Sequence, residues 1–314
     1  MMQMDGSIAI VGAGVSGLTC GVVFAERRQR VAILADEVGS ATTSAAAGAI
    51  WFPYDVEPLD KVLAWSRRTF EQLHHLTSDL ESGVAMIELR CFSRHGEIEM
   101  PNWAAPLGAG RLKTTPRGFS SGFALDVPLI DTSIYLDYLV ERFTRAGGTM
   151  TSGKHFAHLE EVPREYDLII NCAGVGAREL VRDNDVEAHR GQVVLVAKSD
   201  LDHAIVCDDP PLMYVFPRSR DCVFGGTNEI SDNREPSPAE TASIIEECSR
   251  VLGTSAPEIR GTRVGLRPYR KSGVRLEKGS LGDGRTVIHN YGHGGSGFTL
   301  AWGCAEEVAQ LASD

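Results

Sequence analysis

The first 36 residues alternate between short apolar runs and a helical pattern. Residues 7–11 are apolar and mostly β-branched, which predicts a strand. Residues 15–27 then carry apolar side chains at helical spacing, and residues 30–34 form a second apolar run. The pattern predicts a βαβ unit at the start of the chain.

Helical spacing returns several times farther along the chain. It predicts helices over residues 59–80, 131–146, 237–252 and 298–311. Asp131 or Thr132 can cap the second of these, and Pro238 suits the first turn of the third. Residues 88–128 mix apolar stretches with Gly, Pro and Asn, which predicts short strands and turns.

The remaining apolar runs indicate two kinds of sheet. Residues 167–172 and 286–291 are almost continuously apolar, as is typical of parallel strands buried on both faces. Residues 192–226 instead contain short apolar runs separated by turn residues, which predicts antiparallel strands. We therefore expect an α/β fold, α+β overall, with a Rossmann-like parallel sheet and a second, mostly antiparallel sheet, either in one large domain or in two interleaved domains.

Composition narrows the functional classes. The 314 residues include 31 Lys and Arg against 42 Asp and Glu, and this net charge of -11 disfavours nucleic acids and membrane surfaces as partners. Neither an apolar run of membrane-spanning length nor a secretory leader is visible. The seven cysteines form no C-x-x-C pair, and the nine histidines form no metal-binding pattern. We expect a cytoplasmic protein that binds no metal.

The first predicted turn carries a dinucleotide fingerprint. Gly12, Gly14 and Gly17 follow the G-x-G-x-x-G spacing between a strand and a helix, and Asp36 ends the next strand. The first glycine permits the tight turn, the second admits a pyrophosphate, the third packs helix on strand, and the acid can accept hydrogen bonds from a ribose. The acid disfavours NADP, whereas NAD and FAD both fit the fingerprint.

A second glycine-rich segment favours the flavin. Residues 293–297 lie between a predicted strand and a predicted helix. A helix N-terminus stabilises negative charge, and a reduced flavin is anionic at its pyrimidine edge. On the pattern alone, a purely structural glycine-rich turn stays an equal alternative. The small residues 42–48 indicate a further loop that faces a ligand.

Three segments together resemble the D-amino acid oxidases. They are VGAGVSGL (11–18), GLRPYRKSGVRLE (265–277) and HNYGHGGSGFTLAWGCA (289–305), with further likeness in TTSAAAGAIWFPY (42–54) and INCAGVGA (170–177). The resemblance implies non-covalent FAD between two domains. The FAD-binding domain would comprise residues 1–55, 135–185 and 265–314, and the substrate-binding domain residues 56–134 and 186–264.

The same resemblance assigns roles to individual residues. Arg267 would bind the substrate carboxylate, Tyr214 would add a hydroxyl, and Gly295 would offer its carbonyl to the amine. The expected side-chain pocket consists of Ile50, Phe52, Tyr54 and Phe216. The expected FAD contacts are Gly12, Gly14, Val15, Ser16, Gly17, Asp36, Thr42, Thr43, Ser44, Gly48, Ala49, Gly174, Arg267, His293, Gly294, Gly295, Ser296, Gly297, Phe298 and Thr299.

Residue chemistry supports part of this assignment. A guanidinium suits a carboxylate because its planar fork makes two parallel hydrogen bonds, yet five arginines crowd residues 260–275, and only the resemblance singles out Arg267. Hydride transfer from a neutral amine needs no side chain to remove the α-proton. We therefore assign His293 to flavin positioning.

The implied reaction is FAD-dependent oxidative deamination of neutral D-amino acids, by hydride transfer to the flavin, to 2-oxo acids, ammonia and hydrogen peroxide. The partners would be a small D-amino acid and dioxygen, and a homodimer is open. The alternatives are a D-aspartate oxidase, a glycine or secondary-amine oxidase, a flavin-dependent amino acid dehydrogenase, and a dinucleotide-binding regulatory module without turnover.

Two departures from the family pattern concern access and selectivity. Pro210 and Pro211 stand where a lid loop carries a second tyrosine in relatives, and Ser296 replaces a frequent tyrosine, so we expect a more open site. An apolar pocket wall offers no counter-charge to an acidic side chain. Asp208 and Asp209 would repel such a substrate if they lie close to it.

Overall fold

The computed structural model describes residues 6–54 and 56–314. Its strands are β1 (Ser7–Val11), β2 (Arg30–Leu34), β3 (Val84–Ser93), β4 (Gly110–Arg111), β5 (Ser121–Ile130), β6 (Thr149–Thr151), β7 (Leu168–Asn171), β8 (Val186–Ala197), β9 (His203–Cys207), β10 (Met213–Pro217), β11 (Asp221–Gly225), β12 (Glu229–Ile230), β13 (Ile259–Arg270), β14 (Arg275–Ser280) and β15 (Thr286–Tyr291). Its α-helices are α1 (Val15–Glu26), α2 (Thr43–Ala46), α3 (Leu59–Leu76), α4 (Thr132–Arg145), α5 (Ala177–Leu180), α6 (Pro238–Leu252) and α7 (Gly297–Ser313).

The smaller sheet is the predicted parallel sheet. Its strand order is β14-β15-β7-β1-β2-β6. All pairs are parallel except β14 with β15. The central strands β1 and β7 are buried along their whole length, as continuous apolar runs predict. Helices α1 and α7 pack against each other beside this sheet.

The larger sheet has nine strands and is mostly antiparallel. Its order is β12-β8-β11-β10-β9-β3-β5-β4, with β13 along the other edge of β8. The exception is the parallel pair of β3 and β9. The mixed α/β fold class predicted from the sequence is therefore confirmed.

Helical spacing and capping residues in the sequence predicted the positions of most of the longer helices correctly. The Asp131 carboxylate accepts a hydrogen bond from the Ser133 N–H at the start of α4, and Ser237 caps α6 ahead of Pro238. Helix α3 ends at Leu76, four residues before the predicted end, because the chain turns at residues 77–82. The short strands predicted over residues 88–128 are wrong in length, since β3 and β5 pair in register over ten residues each.

The predicted domain division remains a prediction. Its boundary at residue 265 falls inside β13, and its boundary at residue 135 falls inside α4. Residues 1–5 and 55 of its first range lie outside the described residues. None of the helices in the described part of the chain combines the length and apolar character that a membrane span requires.

Candidate active site

One large cavity, of about 730 Å³, is lined by segments of both sheets. That volume lies within the range of ligand and cofactor sites. Of the predicted site residues, 22 line it: Gly12, Gly14, Val15, Ser16, Asp36, Thr42, Thr43, Ser44, Gly48, Ala49, Ile50, Phe52, Tyr54, Gly174, Tyr214, Phe216, Arg267, His293, Gly294, Gly295, Gly297 and Phe298. The fold therefore gathers segments that are up to 286 positions apart in the sequence.

The loop between β1 and α1 has the geometry that a dinucleotide fingerprint requires. Gly12 has a φ of 109°, and a Cβ there would lie 2.9 Å from the carbonyl carbon of Cys172. A Cβ at Gly17 would lie 3.0 Å from the carbonyl carbon of Gly12 and nearer still to its oxygen. Gly17 thus lies outside the cavity lining and packs helix on strand, and its predicted contact with FAD stays a prediction.

Two helix N-termini face the cavity. Helix α1 begins after Gly14 and helix α7 begins at Gly297, and neither has a side-chain cap. The first backbone N–H groups of a helix lack partners within the helix and carry partial positive charge. The Val15 N–H donates to the Ser44 hydroxyl at 2.9 Å, which ties α1 to the loop at residues 42–48. The residues present therefore fit a dinucleotide with a pyrophosphate at one helix and an electron-accepting ring at the other.

Asp36 lines the cavity at the end of β2, as predicted. Its Oδ2 lies 3.1 Å from Nδ1 of His155, and both side chains are mostly exposed. His155 also lines the cavity but carries no sequence signal, because it comes 119 positions later on an irregular segment. The second oxygen of the Asp36 carboxylate can accept a hydrogen bond from a ribose hydroxyl.

His293 joins the two glycine-rich loops. Its ring is 3% exposed, and burial lowers its pKa to about 4. Nε2 lies 3.0 Å from Oδ1 of Asn290, and Nδ1 lies 3.4 Å from the hydroxyl oxygen of Ser16. A neutral imidazole with its proton on Nε2 donates to Asn290 and accepts from Ser16. Asn290, which the sequence did not indicate, also donates to Sγ of Cys20 at 3.3 Å.

Ser296 and Thr299 bind main chain and lie outside the cavity lining. The Ser296 hydroxyl accepts from the Tyr54 N–H at 3.1 Å and donates to the Tyr54 carbonyl at 2.7 Å. The Thr299 hydroxyl does the same with Phe52, at 3.1 Å in each direction. Both were predicted as FAD contacts. In the structure, their hydroxyls hydrogen-bond the segment of Phe52 and Tyr54 to the start of α7.

Arg267 faces the cavity without an acidic partner among the described residues. Its Nη1 donates to the Thr227 carbonyl at 3.1 Å and lies 3.4 Å from Oδ1 of Asn228, both uncharged groups. By contrast, Arg270 pairs with Asp183 at 2.9 Å, and Arg275 pairs with Glu277 at 2.7 Å. Of the five arginines that the sequence could not separate, only Arg267 lines the cavity.

The side chains of Arg267 and Tyr214 lie directly against glycines of neighbouring strands. A Cβ at Gly191 would lie 2.5 Å from Cζ of Arg267 and nearer still to both terminal nitrogens. A Cβ at Gly226 would lie 2.8 Å from the Tyr214 hydroxyl, and one at Gly225 would meet the ring itself. Burial raises the pKa of Tyr214, and the Arg267 guanidinium draws it partly back. The strands thus leave a slot in which the hydroxyl and the guanidinium face each other.

Gly295 lies beside this slot. A Cβ on it would lie 3.7 Å from Cδ of Arg267 and 3.6 Å from the Tyr54 ring. Phe216 stacks on Tyr214 with ring centroids 4.9 Å apart, and Trp103 holds Phe52 edge-on at 5.2 Å. The structure therefore brings the three residues with predicted catalytic roles together with the four predicted pocket residues.

Comparisons with known proteins identify the family to which this chain is similar. The family described as FAD dependent oxidoreductase matches residues 7–311. A D-amino-acid oxidase of Rubrobacter xylanophilus is 41% identical over 96% of this chain and 94% of its own. A D-aspartate oxidase of Homo sapiens is 32% identical over 98% of this chain and 94% of its own. A solved glycine oxidase structure from Bacillus cereus has the same fold, with a TM-score of 0.80 at 18% identity over 98% of this chain and 95% of its own.

Proposed function

Since this chain belongs to the FAD-dependent oxidoreductase family that includes the D-amino-acid oxidases, we propose that it oxidatively deaminates neutral D-amino acids. The substrate and dioxygen would give a 2-oxo acid, ammonia and hydrogen peroxide. One observation carries the proposal: Arg267 faces the cavity without a carboxylate of its own among the described residues. A guanidinium that faces a cavity and pairs with no carboxylate is well suited to bind the carboxylate of a substrate.

FAD would lie along the two helix N-termini without a covalent link. The Gly12–Gly14 turn and α1 would hold its pyrophosphate, Asp36 its adenosine ribose, and the N-terminus of α7 the pyrimidine edge. When bound, FAD supplies the acceptor for the α-hydrogen as hydride. We further propose that the chain divides into the two interleaved domains described above, with the cavity between them.

The residues of this chain bind and orient the substrate. Arg267 would hold the carboxylate through both terminal nitrogens, and the Tyr214 hydroxyl would donate to the same carboxylate. The Gly295 carbonyl would accept from the substrate amine. Orientation of this kind can supply much of the rate enhancement. His293 is neutral and fully engaged by Ser16 and Asn290, which supports a role in loop positioning.

The pocket wall favours a neutral side chain over an acidic one. Ile50, Phe52 and Phe216 are apolar, and Asp208 also lines the cavity. A carboxylate side chain would lose hydration without gaining a cation there, at a cost of several kcal/mol. A neutral substrate should therefore exceed D-aspartate by about a hundred-fold in kcat/KM.

A peroxide assay over a panel of D- and L-amino acids tests the proposal. We expect peroxide from D-methionine, D-valine and D-phenylalanine, and bleaching of the flavin absorption when each is added without oxygen. Bleaching without peroxide in air would show a dehydrogenase. D-aspartate as the best substrate would overturn the pocket assignment, and failure of every amino acid to bleach bound flavin would overturn the function.

Acid precipitation tests the mode of FAD binding, because flavin that stays in the pellet would contradict a non-covalent site. A cytoplasmic location and a homodimer stay predictions from the sequence and its resemblance.

A further inference from the structure

The loop that follows strand β12 of the larger sheet borders the cavity. It comprises residues 231–235, of which Asp232 and Arg234 line the cavity. The two oxygens of Asp232 lie 2.8 and 3.2 Å from the terminal nitrogens of Arg178, and Arg234 pairs with Glu37 at 2.7 Å. Arg178 and Glu37 line the cavity as well. Two ion pairs therefore connect this loop to segments that follow strands of the smaller sheet.

The strand order of the smaller sheet shows what this loop covers. Arg178 follows β7 and Glu37 follows β2, and β1 lies between these two strands. Adjacent strands are roughly 4.8 Å apart, so β7 and β2 are about 10 Å apart. Residues 232–234, which we call the strap, pair with both sides and therefore pass over the carboxyl end of β1. The Gly12 turn begins there, and a dinucleotide binds at that edge in folds of this type.

The strap is held differently on its two sides. On the side of the larger sheet, Arg190 donates to the carbonyls of Asn233 at 3.0 Å and Glu235 at 2.9 Å, and it pairs with Glu240 at 2.8 Å. The Arg190 side chain is only 2% exposed, whereas the side chains of the two ion pairs to the smaller sheet are between 35% and 62% exposed. Exposed pairs separate at little cost, so they are the side on which the strap can open.

We propose that the strap closes over bound FAD and that the ion pairs Arg178–Asp232 and Glu37–Arg234 slow the release of FAD. The proposal rests on the proposed function, because it requires the FAD pyrophosphate to lie at the Gly12–Gly14 turn. The pyrophosphate is then enclosed between that turn and the strap, and FAD leaves only after the exposed side chains of the two pairs have separated.

The sign of the effect distinguishes a strap from simple attraction between charges. Glu37 and Asp232 are acids that line the same cavity as the glycine turn. If they acted on the anionic pyrophosphate through charge alone, neutralising them would slow the release of FAD, because a repulsion is removed. A strap predicts the opposite. We expect Glu37→Gln and Asp232→Asn each to raise the dissociation rate constant of FAD about two- to five-fold, the range for an exposed ion pair.

Exchange of labelled FAD measures this rate without turnover. The protein is loaded with radiolabelled FAD, and release is followed after excess unlabelled FAD is added. Glu97→Gln is the matched control, because it breaks an exposed pair with Arg111, 2.9 Å apart, outside the cavity lining. It should leave the rate unchanged. Release at the parent rate or slower in Glu37→Gln and Asp232→Asn would overturn the proposal, and so would an equal rise in Glu97→Gln.

A covalent lock across the strap gives a second readout. The seven native cysteines are all buried, so cysteines introduced by Glu37→Cys and Arg234→Cys at the exposed pair should react selectively with maleimides. A short bismaleimide that joins them in the FAD-loaded protein should slow release below the parent rate, whereas N-ethylmaleimide on the same variant should not. Equal release after both reagents would overturn the proposal. Failure of the proposed function looks different, because FAD would exchange as described while no amino acid is oxidised.

Discussion

The substitution Gly191→Ala should displace the Arg267 guanidinium while leaving the fold intact. A Cβ at residue 191 would lie 2.5 Å from Cζ of Arg267 and closer to its terminal nitrogens. Ordinary contact begins near 3.4 Å, so the guanidinium must withdraw by about 1 Å. The atoms that clash belong to the end of a flexible side chain, so the backbone pairing of β8 with β13 need not change.

A shift of about 1 Å in a substrate-binding group can reduce activity by up to a hundred-fold. We expect Gly191→Ala to raise KM for a neutral D-amino acid about ten- to a hundred-fold, equivalent to about 1.4–2.7 kcal/mol. The dissociation constant of FAD should change far less, because the proposed contacts with its pyrophosphate, its adenosine ribose and its pyrimidine edge lie on other segments. The measurements are steady-state kinetics with D-methionine and fluorescence titration of the apoprotein with FAD.

Gly261→Ala is the matched control. Gly261 lies in β13 and pairs with β8 as well, yet no atom lies within 4 Å of its missing Cβ. Any general cost of alanine in this strand pair should therefore appear in both variants. If Gly191→Ala and Gly261→Ala have the same KM, the guanidinium of Arg267 does not hold the substrate where we place it.

Three further predictions address the same site. Arg267→Ala should raise the apparent KM by about a hundred-fold or more while FAD is retained. Arg267→Lys should restore only part of the substrate affinity, because an ammonium lacks the bidentate fork of a guanidinium. A near-normal kcat/KM in Arg267→Ala would show that another arginine binds the substrate carboxylate. Asp36→Ala should weaken FAD retention in equilibrium dialysis before it alters kcat at saturating FAD, and unchanged affinity would remove the ribose contact. Because burial lowers the pKa of His293 to about 4 from 6.5, the unfolded chain binds a proton that the folded chain excludes, so the free energy of unfolding should fall as the pH drops from 6.5 towards 4. Urea titrations should show that the free energy of unfolding falls less over this pH range in His293→Gln than in the parent protein. An equal fall would show that another group causes the pH dependence. His289 is the other candidate, because its pKa is also lowered to about 4.

Sequence reasoning succeeded where the determinants are local. The first glycine turn, the Asp131 cap and the Pro238 start each depend on residues within a few positions of one another. The long pairing of β8 with β13 depends instead on contacts across about 75 positions, and its register sets Arg267 opposite His189. No periodicity within either strand specifies that partner, which explains why the sequence predicted neither the length of β13 nor its sheet.

The same limit applies inside the site. Gly191 matters because of a side chain on another strand, and His155 because an irregular segment returns to the end of β2. Ser296 and Thr299 show the same limit, because the partners of their hydroxyls lie about 245 positions away in the sequence. Hydroxyls in a glycine-rich cofactor loop suggest ligand contacts, but here the two hydroxyls form hydrogen bonds with the main chain of Phe52 and Tyr54. Main-chain groups that are shielded from water need hydrogen-bond partners, and the two hydroxyls supply them.

The buried histidine explains how two distant glycine loops act as one surface. Glycine gives each loop the close approach that a cofactor requires, but it removes the side chains that would fix the position of one loop against the other. His293 supplies that link. Its neutral ring can accept a hydrogen bond from Ser16 on the first loop while it donates one to Asn290 in β15, the strand that precedes the second loop. Charging the ring would place an uncompensated cation in a buried site, which its lowered pKa reflects. A histidine in this motif therefore has a structural reason to be there without an acid–base step, and the two helix N-termini that it aligns are the feature on which FAD affinity should depend.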